Sequence, residues 1–420
     1  MTIRFYLTWL VLLLSIKGIA QQPAVVVNDS VSKQEKPNAF KTGFYPLSFF
    51  DFDLRYLVKY NNYEGVRLGA GGVTNDKLLE SVSFGGYAAY GFKDKAWKYS
   101  AGIDIRLSEG KNAWIGGYYI NDIAELGSYS YLTDARVYSV FEPRLVNISQ
   151  FYKHRTYTVN FRQEITPKII GEYKISRSNI TQIENYQFVT DTEVLSNYVV
   201  AEAGAAFRFS PKSKFITNPD GDIEYFDGFP KITAQFTQGI NSILDGDFLY
   251  TKIGFKADYY IKRTNLTSTN ILFEANLGLG DIPLTHLFHA FPNSPTKDEI
   301  FQRFSVAGRR SFETMYFGEF FSDKLMTMQV KHSLRRFELS KQFKPELVFV
   351  TRHALGSLVR RDRHLGLDFN TLEQGYHESG FELNKLIFGF GLSFAYRYGP
   401  YHLPDFEDNI SAKFTFYLSI

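Results

Sequence analysis

The residue types needed for hydrolysis lie close together between positions 353 and 364. His353, Ser357, Asp362 and His364 offer a hydroxyl, two imidazoles and a carboxylate, the groups of a nucleophile, a base and an orienting acid. A membrane hydrolase that uses the His353 region is therefore one hypothesis. Proximity in sequence is weak evidence for it, because a fold assembles catalytic groups from distant positions. We favour a polar loop of ordinary composition and predict no catalytic residue.

Two histidines three residues apart, His286 and His289, could bind a metal ion if they lay on a helix. The sequence offers no acidic third ligand at the spacing of a metalloprotease. Pro283 and Pro292 also flank the segment and disfavour a helix there. We favour an aromatic-rich loop, and we predict neither a metal site nor a cofactor.

A cluster of arginines supports a third chemistry, the binding of phosphate. A guanidinium group binds phosphate through two parallel hydrogen bonds, so phosphorylated lipid headgroups or lipopolysaccharide are candidate ligands. The alternative, which we favour, is a solvated outer loop in which Asp362 and Asp368 pair with the arginines. The cluster consists of Arg352, Arg360, Arg361 and Arg363.

The elements that must position these residues are strands with a two-residue period. In the closing segment, 410–420, Phe414, Phe416 and Leu418 share one face, while Ser411, Lys413 and Thr415 share the other. Segments 81–92 and 97–107 repeat the pattern, and the short stretch between them predicts an antiparallel hairpin. Further predicted strands are 155–165, 198–209, 231–240, 249–262, 267–278, 326–337, 345–353 and 388–398.

The length of these segments distinguishes a membrane barrel from a soluble sandwich. They run for roughly ten to thirteen residues with aromatic ends, whereas sandwich strands average about 5–6 residues and a bilayer needs about 9–11. The chain contains 40 Phe and 28 Tyr, which suits aromatic girdles. We predict an all-β, transmembrane, antiparallel β-barrel of about 16 strands, with 14 as the alternative.

A barrel places the charged residues of its strands in the lumen, where opposite charges pair or stay hydrated. The candidates for such a lumen charge network are Lys98, Asp104, Arg106, Lys256 and Asp258. Four connections are long, namely 121–153, 210–230, 281–323 and 355–378. We expect them on the cell exterior or folded into the lumen.

The amino terminus predicts export. Arg4 precedes an apolar run, and small residues end at Ala20, so residues 1–20 read as a signal peptide cleaved near Ala20. Residues 21–45 read as a polar periplasmic leader in which Ser30 is a candidate O-glycosylation site, and 46–420 as the barrel. The chain has no cysteine, and its net charge of +3 does not point to nucleic acid as a partner.

From about residue 50 onward the sequence resembles the BamA-like surface-antigen barrel superfamily. It is most similar to an uncharacterised Bacteroidota barrel family that usually follows a carboxypeptidase-regulatory-like domain. The resemblance implies a Gram-negative outer-membrane barrel. The segments that carry it are YLVKYNNYEGVRLG (56–69), FGGYAAYG (84–91), FGEFFSD (317–323), ESGFELN (378–384) and YRYGPY (396–401).

Two departures from this superfamily weaken the expectation of autonomous insertase activity. Familiar members carry periplasmic domains before the barrel, and only about 25 residues of leader are expected here. They also carry an Arg-Gly pair in a lumen-inserted loop, whereas the comparable stretch AGRRSFE (307–313) has arginines without that pair. We therefore expect a non-enzymatic barrel in envelope assembly or maintenance, alone or in a protein complex. A passive channel for small solutes or lipids is the alternative.

Overall fold

The structure, a computed structural model, describes residues 43–134, 143–217, 223–295, 305–338, 344–387 and 389–416. The predicted signal peptide, nearly all of the leader with Ser30, and residues 417–420 of the closing segment lie outside these ranges. Within the described ranges, no helix has the length and apolar character needed to cross a membrane.

The described residues form 25 β-strands and several short 3-10 helices. The 3-10 helices span Leu54–Tyr56, Pro143–Val146, Leu284–His286, Arg361–Arg363 and Phe406–Asn409. The strands are β1 (Phe44–Pro46), β2 (Phe50–Asp53), β3 (Val58–Asn61), β4 (Gly65–Thr74), β5 (Val82–Gly91), β6 (Ala96–Ser108), β7 (Ala113–Glu125), β8 (Phe151–Thr166), β9 (Ile169–Gln182), β10 (Gln187–Val189), β11 (Val194–Leu195), β12 (Asn197–Phe209), β13 (Lys214–Thr217), β14 (Ile223–Phe226), β15 (Lys231–Gly239), β16 (Tyr250–Lys262), β17 (Ser268–Gly280), β18 (Pro292–Ser294), β19 (Phe312–Tyr316), β20 (Lys324–Ser333), β21 (Glu346–Ser357), β22 (His364–Leu365), β23 (Tyr376–Ile387), β24 (Phe390–Tyr398) and β25 (Ile410–Phe416).

One large antiparallel sheet contains 18 of these strands. Its members pair in chain order, from β1 through β9 and then β12, β15, β16, β17, β20, β21, β23, β24 and β25. Both β2 and β3 pair with β4, so they act as one interrupted strand, and β1 pairs with β2. Counting β2 and β3 together and leaving out β1 gives 18 − 2 = 16 wall strands. The predicted all-β antiparallel architecture of about 16 strands is confirmed.

The strongest sequence patterns match the wall closely. The predicted hairpin is present, with Gly91 opposite Ala96 at its tip. Two predicted connections were too long. β7 continues to Glu125 and β8 starts at Phe151, while β21 continues to Ser357 and β23 starts at Tyr376. The connections are therefore 126–150 and 358–375. They were predicted too long because polar residues at the strand ends were interpreted as loop.

The two faces of the wall differ as the alternation predicts. In β6, Trp97 is 61% exposed while Lys98 is 3% exposed, and in β25 Phe414 is exposed while Lys413 is buried. A large apolar side chain that points away from all protein requires an apolar solvent, which a bilayer provides. We call this the outward face and the opposite one the inward face.

The long connection between β17 and β20 packs against the inward face. Its described residues, 281–295 and 305–323, are called the inner segment. Leu284, Phe288, Ala290, Asn293 and Met315 of this segment are at most 1% exposed. The apolar clusters that contain Leu284, Phe288, Ala290 and Met315 also include side chains from connections 183–196 and 358–375. The protein core therefore lies between the inward face, the inner segment and the other long connections.

Candidate functional site between the inner segment and the last strands

The centre of the site is a buried carboxylate, Glu313, in the inner-segment strand β19. Its Oε2 is 3.1 Å from Nζ of Lys413, which projects from β25. Asn293 Nδ2 also donates to Oε2 at 2.7 Å, and Ser311 Oγ donates to Oε1 at 2.8 Å. The backbone N–H of Gly308 donates to Oε1 at 3.1 Å. These donors compensate the desolvation of a charge that would otherwise be costly to bury.

A second carboxylate, Glu378 of β23, binds the backbone of the inner segment. Its two oxygens accept hydrogen bonds from the N–H groups of Glu313 (2.9 Å) and Thr314 (3.0 Å). Arg352 of β21 donates to the same carboxylate at 2.7 Å and to Gln329 at 2.7 Å. Since the wall supplies the acid and the inner segment supplies backbone donors, this contact fixes the position of β19.

Four acidic and four basic side chains make up the charged part of the site. Beyond the residues above, Lys331 pairs with Glu382 at 2.8 Å, and Arg397 pairs with Glu319 of the inner segment at 2.6 Å. The set is electrically balanced, as expected where buried charges need partners. Its members are Glu313, Glu319, Glu378, Glu382, Lys331, Arg352, Arg397 and Lys413.

The inner segment also hydrogen-bonds to the edge of β25. The N–H of Phe414 donates to the carbonyl of Ser305 at 2.9 Å, and the N–H of Ala307 donates to the carbonyl of Phe414 at 2.8 Å. Val306 and Phe414 thus form a parallel bridge, while β25 pairs with β24 along its other edge. Asn147 and Asn293 donate to the carbonyl of Val306. The inner segment therefore occupies backbone groups on the edge that faces away from β24.

The structure separates the predicted arginine cluster. Arg352 was expected in an outer loop, but it lies in β21 with its guanidinium buried against Glu378, because its strand position faces inward. Arg360, Arg361 and Arg363 do lie in the connection that follows. Arg360 and Arg363 pair with Asp281 at 2.6 and 3.0 Å, and Arg361 pairs with Asp368 at 3.5 Å, the predicted partner. Arg360 and Arg363 also line a cleft of about 230 Å³.

The five candidate lumen charges do not form one network. Lys98 pairs with Glu64 at 2.8 Å and with Asp94, and Lys256 pairs with Asp134 of a long connection. Asp104 accepts a hydrogen bond from Tyr118, and Asp258 accepts one from Asn270 at 2.7 Å. Arg106 lies near Asp76 and Glu109 and stacks on Trp114. The pairs are local because most of these residues find partners on neighbouring strands or turns.

The residues considered for hydrolysis are bonded to different partners. His353 lies on the outward face and contacts Thr351 and His377, whereas His364 contacts the hydroxyl of Tyr186 at 2.9 Å. His289 bonds to Glu125 and to the N–H of Phe291. Within the described ranges, no group of three or more His, Asp or Glu side chains is arranged to hold a metal ion.

Burial changes the acid–base properties of two loop histidines. The pKa of His364, in the connection between β21 and β23, is lowered to about 4 by burial, which Asp362 only partly opposes. Burial likewise lowers the pKa of His286 in the inner segment to about 4. Burial raises the pKa of Tyr186, whose hydroxyl accepts a hydrogen bond from the N–H of Leu284. All three side chains are therefore neutral around pH 7.

Residues 41–277 match a family model described as "Family of unknown function (DUF5686) C-terminal domain". The match covers 277 − 41 + 1 = 237 of the 420 residues. The chain belongs to this family. The DUF5686 match ends at the carboxyl end of β17, so the inner segment and the last strands lie beyond it. No curated protein matches the sequence.

Solved structures extend the comparison to most of the chain. BamA from Haemophilus ducreyi lacking POTRA domains 1-3 is similar with a TM-score of 0.52 and 11% identity, over 87% of this chain and 69% of that chain. CdiB from Escherichia coli gives a TM-score of 0.48 and 10% identity, over 88% of this chain and 62% of that chain. At such low identity the BamA similarity shows the fold alone. The DUF5686 chain thus has an antiparallel fold like that of an outer-membrane barrel.

Proposed function

We propose that this chain is a non-enzymatic, integral outer-membrane β-barrel that acts in envelope assembly or maintenance as a subunit of a protein complex. It would reach the outer membrane of a Gram-negative Bacteroidota cell after cleavage of a signal peptide near Ala20. Lipopolysaccharide and other outer-membrane lipids would surround its outward face. The outward apolar residues and the BamA-like fold support this location.

The observation that carries the proposal is the docking of the inner segment on β25. An unpaired strand edge is a template for another strand, and β-strand addition is a common mode of protein recognition. Here the chain's own residues 305–307 occupy part of such an edge at Phe414. A partner strand could replace three residues at a small cost in backbone hydrogen bonds, which suits a protein that assembles with other chains.

The inner segment is also evidence against the hypothesis of a passive channel. Its residues pack against the inward face of the last wall strands, and the buried ion pairs Arg397–Glu319 and Lys413–Glu313 hold it there. A diffusion channel needs a hydrated path, as in the water-filled lumen of porins. The inward face of the last strands is instead packed against protein.

Two measurements on the full chain test the proposal. A tagged protein extracted from native outer membranes in mild detergent should purify with stoichiometric partners, identified by mass spectrometry. In planar bilayers the purified protein should show no steady conductance. Recovery as a lone barrel with a steady, solute-selective conductance would overturn the assembly role and favour the channel.

A further inference from the structure

The outward face carries a polar cluster where apolar residues are expected. Arg352 and Glu378 point inward and are buried, so their neighbours on β21 and β23 must point outward. Phe349, Leu355 and Phe381 on the same face are exposed, as a bilayer-facing surface requires. The members of the polar cluster are Thr351, His353, His377, Ser379 and Tyr398.

Two histidines form the centre of this cluster. His353 and His377 are directly opposite each other on neighbouring strands, and their Nδ1 atoms are 2.8 Å apart. This contact is a hydrogen bond in which one Nδ1 donates and the other accepts. The Nδ1 atoms of both imidazoles thus meet on the outward side of the sheet.

The separation of the two nitrogens matches a particular metal geometry. Two ligands about 2.0–2.1 Å from an ion lie about 2.9 Å apart when they subtend a right angle and about 3.4 Å apart at the tetrahedral angle. The distance of 2.8 Å fits the right angle, which Cu²⁺ and Ni²⁺ favour in square-planar or tetragonal sites. We propose that His353 and His377 form a two-nitrogen binding site for such a divalent cation, with Cu²⁺ bound more tightly than Ni²⁺.

The surrounding hydroxyl groups orient the two rings. Nε2 of His353 lies 3.0 Å from Oγ1 of Thr351, which in turn bonds to Ser379 Oγ at 2.9 Å. With the Nε2 proton donated to Thr351, the Nδ1 of His353 carries a lone pair, which accepts the hydrogen bond from His377 until a metal ion takes its place. The ring of Tyr398 stacks on His377 with 5.8 Å between centroids, and the Tyr398 hydroxyl forms a hydrogen bond of 3.1 Å with the Ser379 hydroxyl.

Binding requires one change of tautomer and no net release of protons. The proton shared between the two Nδ1 atoms belongs to His377 when His353 donates through Nε2. It moves to Nε2 of His377 as the metal binds, so each ring keeps one N–H. The cluster contains no carboxylate. His377 is the second residue of β23 and Tyr398 is the last residue of β24, so the cluster lies at the end of the wall, where water reaches it and completes the coordination of the ion.

The test uses the untagged full chain in detergent micelles, titrated with Cu²⁺ and observed by electron paramagnetic resonance and calorimetry. The wild type should bind one ion with nitrogen hyperfine structure from two imidazoles. His353→Ala and His377→Ala should each lose at least tenfold in affinity and one coupled nitrogen. The matched control is His332→Ala, because His332 also faces outward, in β20, but bonds to Thr269.

A second variant separates loss of the site from loss of the fold. Thr351→Val keeps both ligands and should weaken binding less than either alanine variant, since it removes only the group that orients His353. Heat-modifiable migration in gels checks that every variant is folded. The proposal is overturned if the wild type shows no nitrogen coupling, or if both alanine variants bind Cu²⁺ like the wild type.

Discussion

Glu313 and Lys413 are separated by 100 residues, yet they form an ion pair of 3.1 Å with both side chains at most 2% exposed. The lysine also donates to the carbonyl of Glu313 at 2.8 Å and to that of Asn293 at 2.5 Å. Burying two such charges is costly, and only the complete set of partners offsets the cost. The pair therefore joins the inner segment to the last strand, and neither residue tolerates the loss of the other.

Lys413→Met should release the inner segment from the wall. It leaves the Glu313 carboxylate buried without its counter-charge, which costs about 3–5 kcal/mol. Limited proteolysis of folded protein, with cleavage sites mapped by mass spectrometry, should show faster cutting between residues 305 and 323. The double variant Glu313→Gln with Lys413→Met should be closer to the wild type. Equal cleavage of the single variant and the wild type would contradict the role of the pair.

Arg352→Met should lower the free energy of unfolding much more than Arg361→Gln, although both substitutions remove an arginine. The Arg352 side chain is buried and bonds to Glu378, so its loss leaves a buried carboxylate and costs about 3–5 kcal/mol. Arg361 is half-exposed and its pair with Asp368 is long, so its loss should cost less than about 1 kcal/mol. Urea titrations in detergent micelles measure both changes. Similar midpoints for the two variants would show that Arg352 is not a structural link.

The sequence predicted the wall better than the site because the wall depends on local alternation. Segments such as 97–107 were recognised since their outward residues are uniformly apolar. The strands β4, β7, β9 and β23 were not among the predicted strands. In β23, His377 and Ser379 interrupt the apolar outward face, and they belong to the polar cluster proposed as a metal site. A departure from the pattern thus coincided with a candidate site.

The charge pairs of the site were beyond prediction from one sequence. Lys413 was correctly assigned to the polar face of the closing strand, but its partner Glu313 lies in a different connection. Strand alternation predicts which face a side chain points to, but it does not predict which distant residue that side chain contacts. Arg352 was grouped with the loop arginines although the predicted strand 345–353 already contained it, because its distant partner Glu378 was unknown.

The long connections should loosen at acidic pH. His364 has a pKa of about 4 when docked and 6.5 when exposed, so the undocked form binds more protons between these values. The connection 358–375 therefore docks most stably above pH 6.5, and the free energy that favours its docking becomes smaller as the pH falls toward 4. Hydrogen exchange of peptides from 358–375 should be faster at pH 4.5 than at pH 7, after correction for intrinsic rates. His364→Gln cannot titrate there and should reduce the difference; an unchanged difference would contradict this assignment.

A disulfide should fix the inner segment to the edge of β25. Val306 and Phe414 are bridge partners in a parallel pair, and such backbones approach within the Cα distance of about 4.4–6.8 Å that a disulfide requires. The chain contains no cysteine, so Val306→Cys with Phe414→Cys introduces a single defined pair. Oxidation should form the crosslink in folded protein at high yield, as seen by mass spectrometry of proteolytic fragments. Val306→Cys with Phe394→Cys is the matched control, because Phe394 lies outward on β24, across β25 from the inner segment.

The same crosslink tests whether partners bind at this edge. If the edge exchanges with a partner strand, the oxidised protein should lose its co-purifying partners and regain them on reduction. Partners retained after complete oxidation would show that the edge at Phe414 is not where they bind.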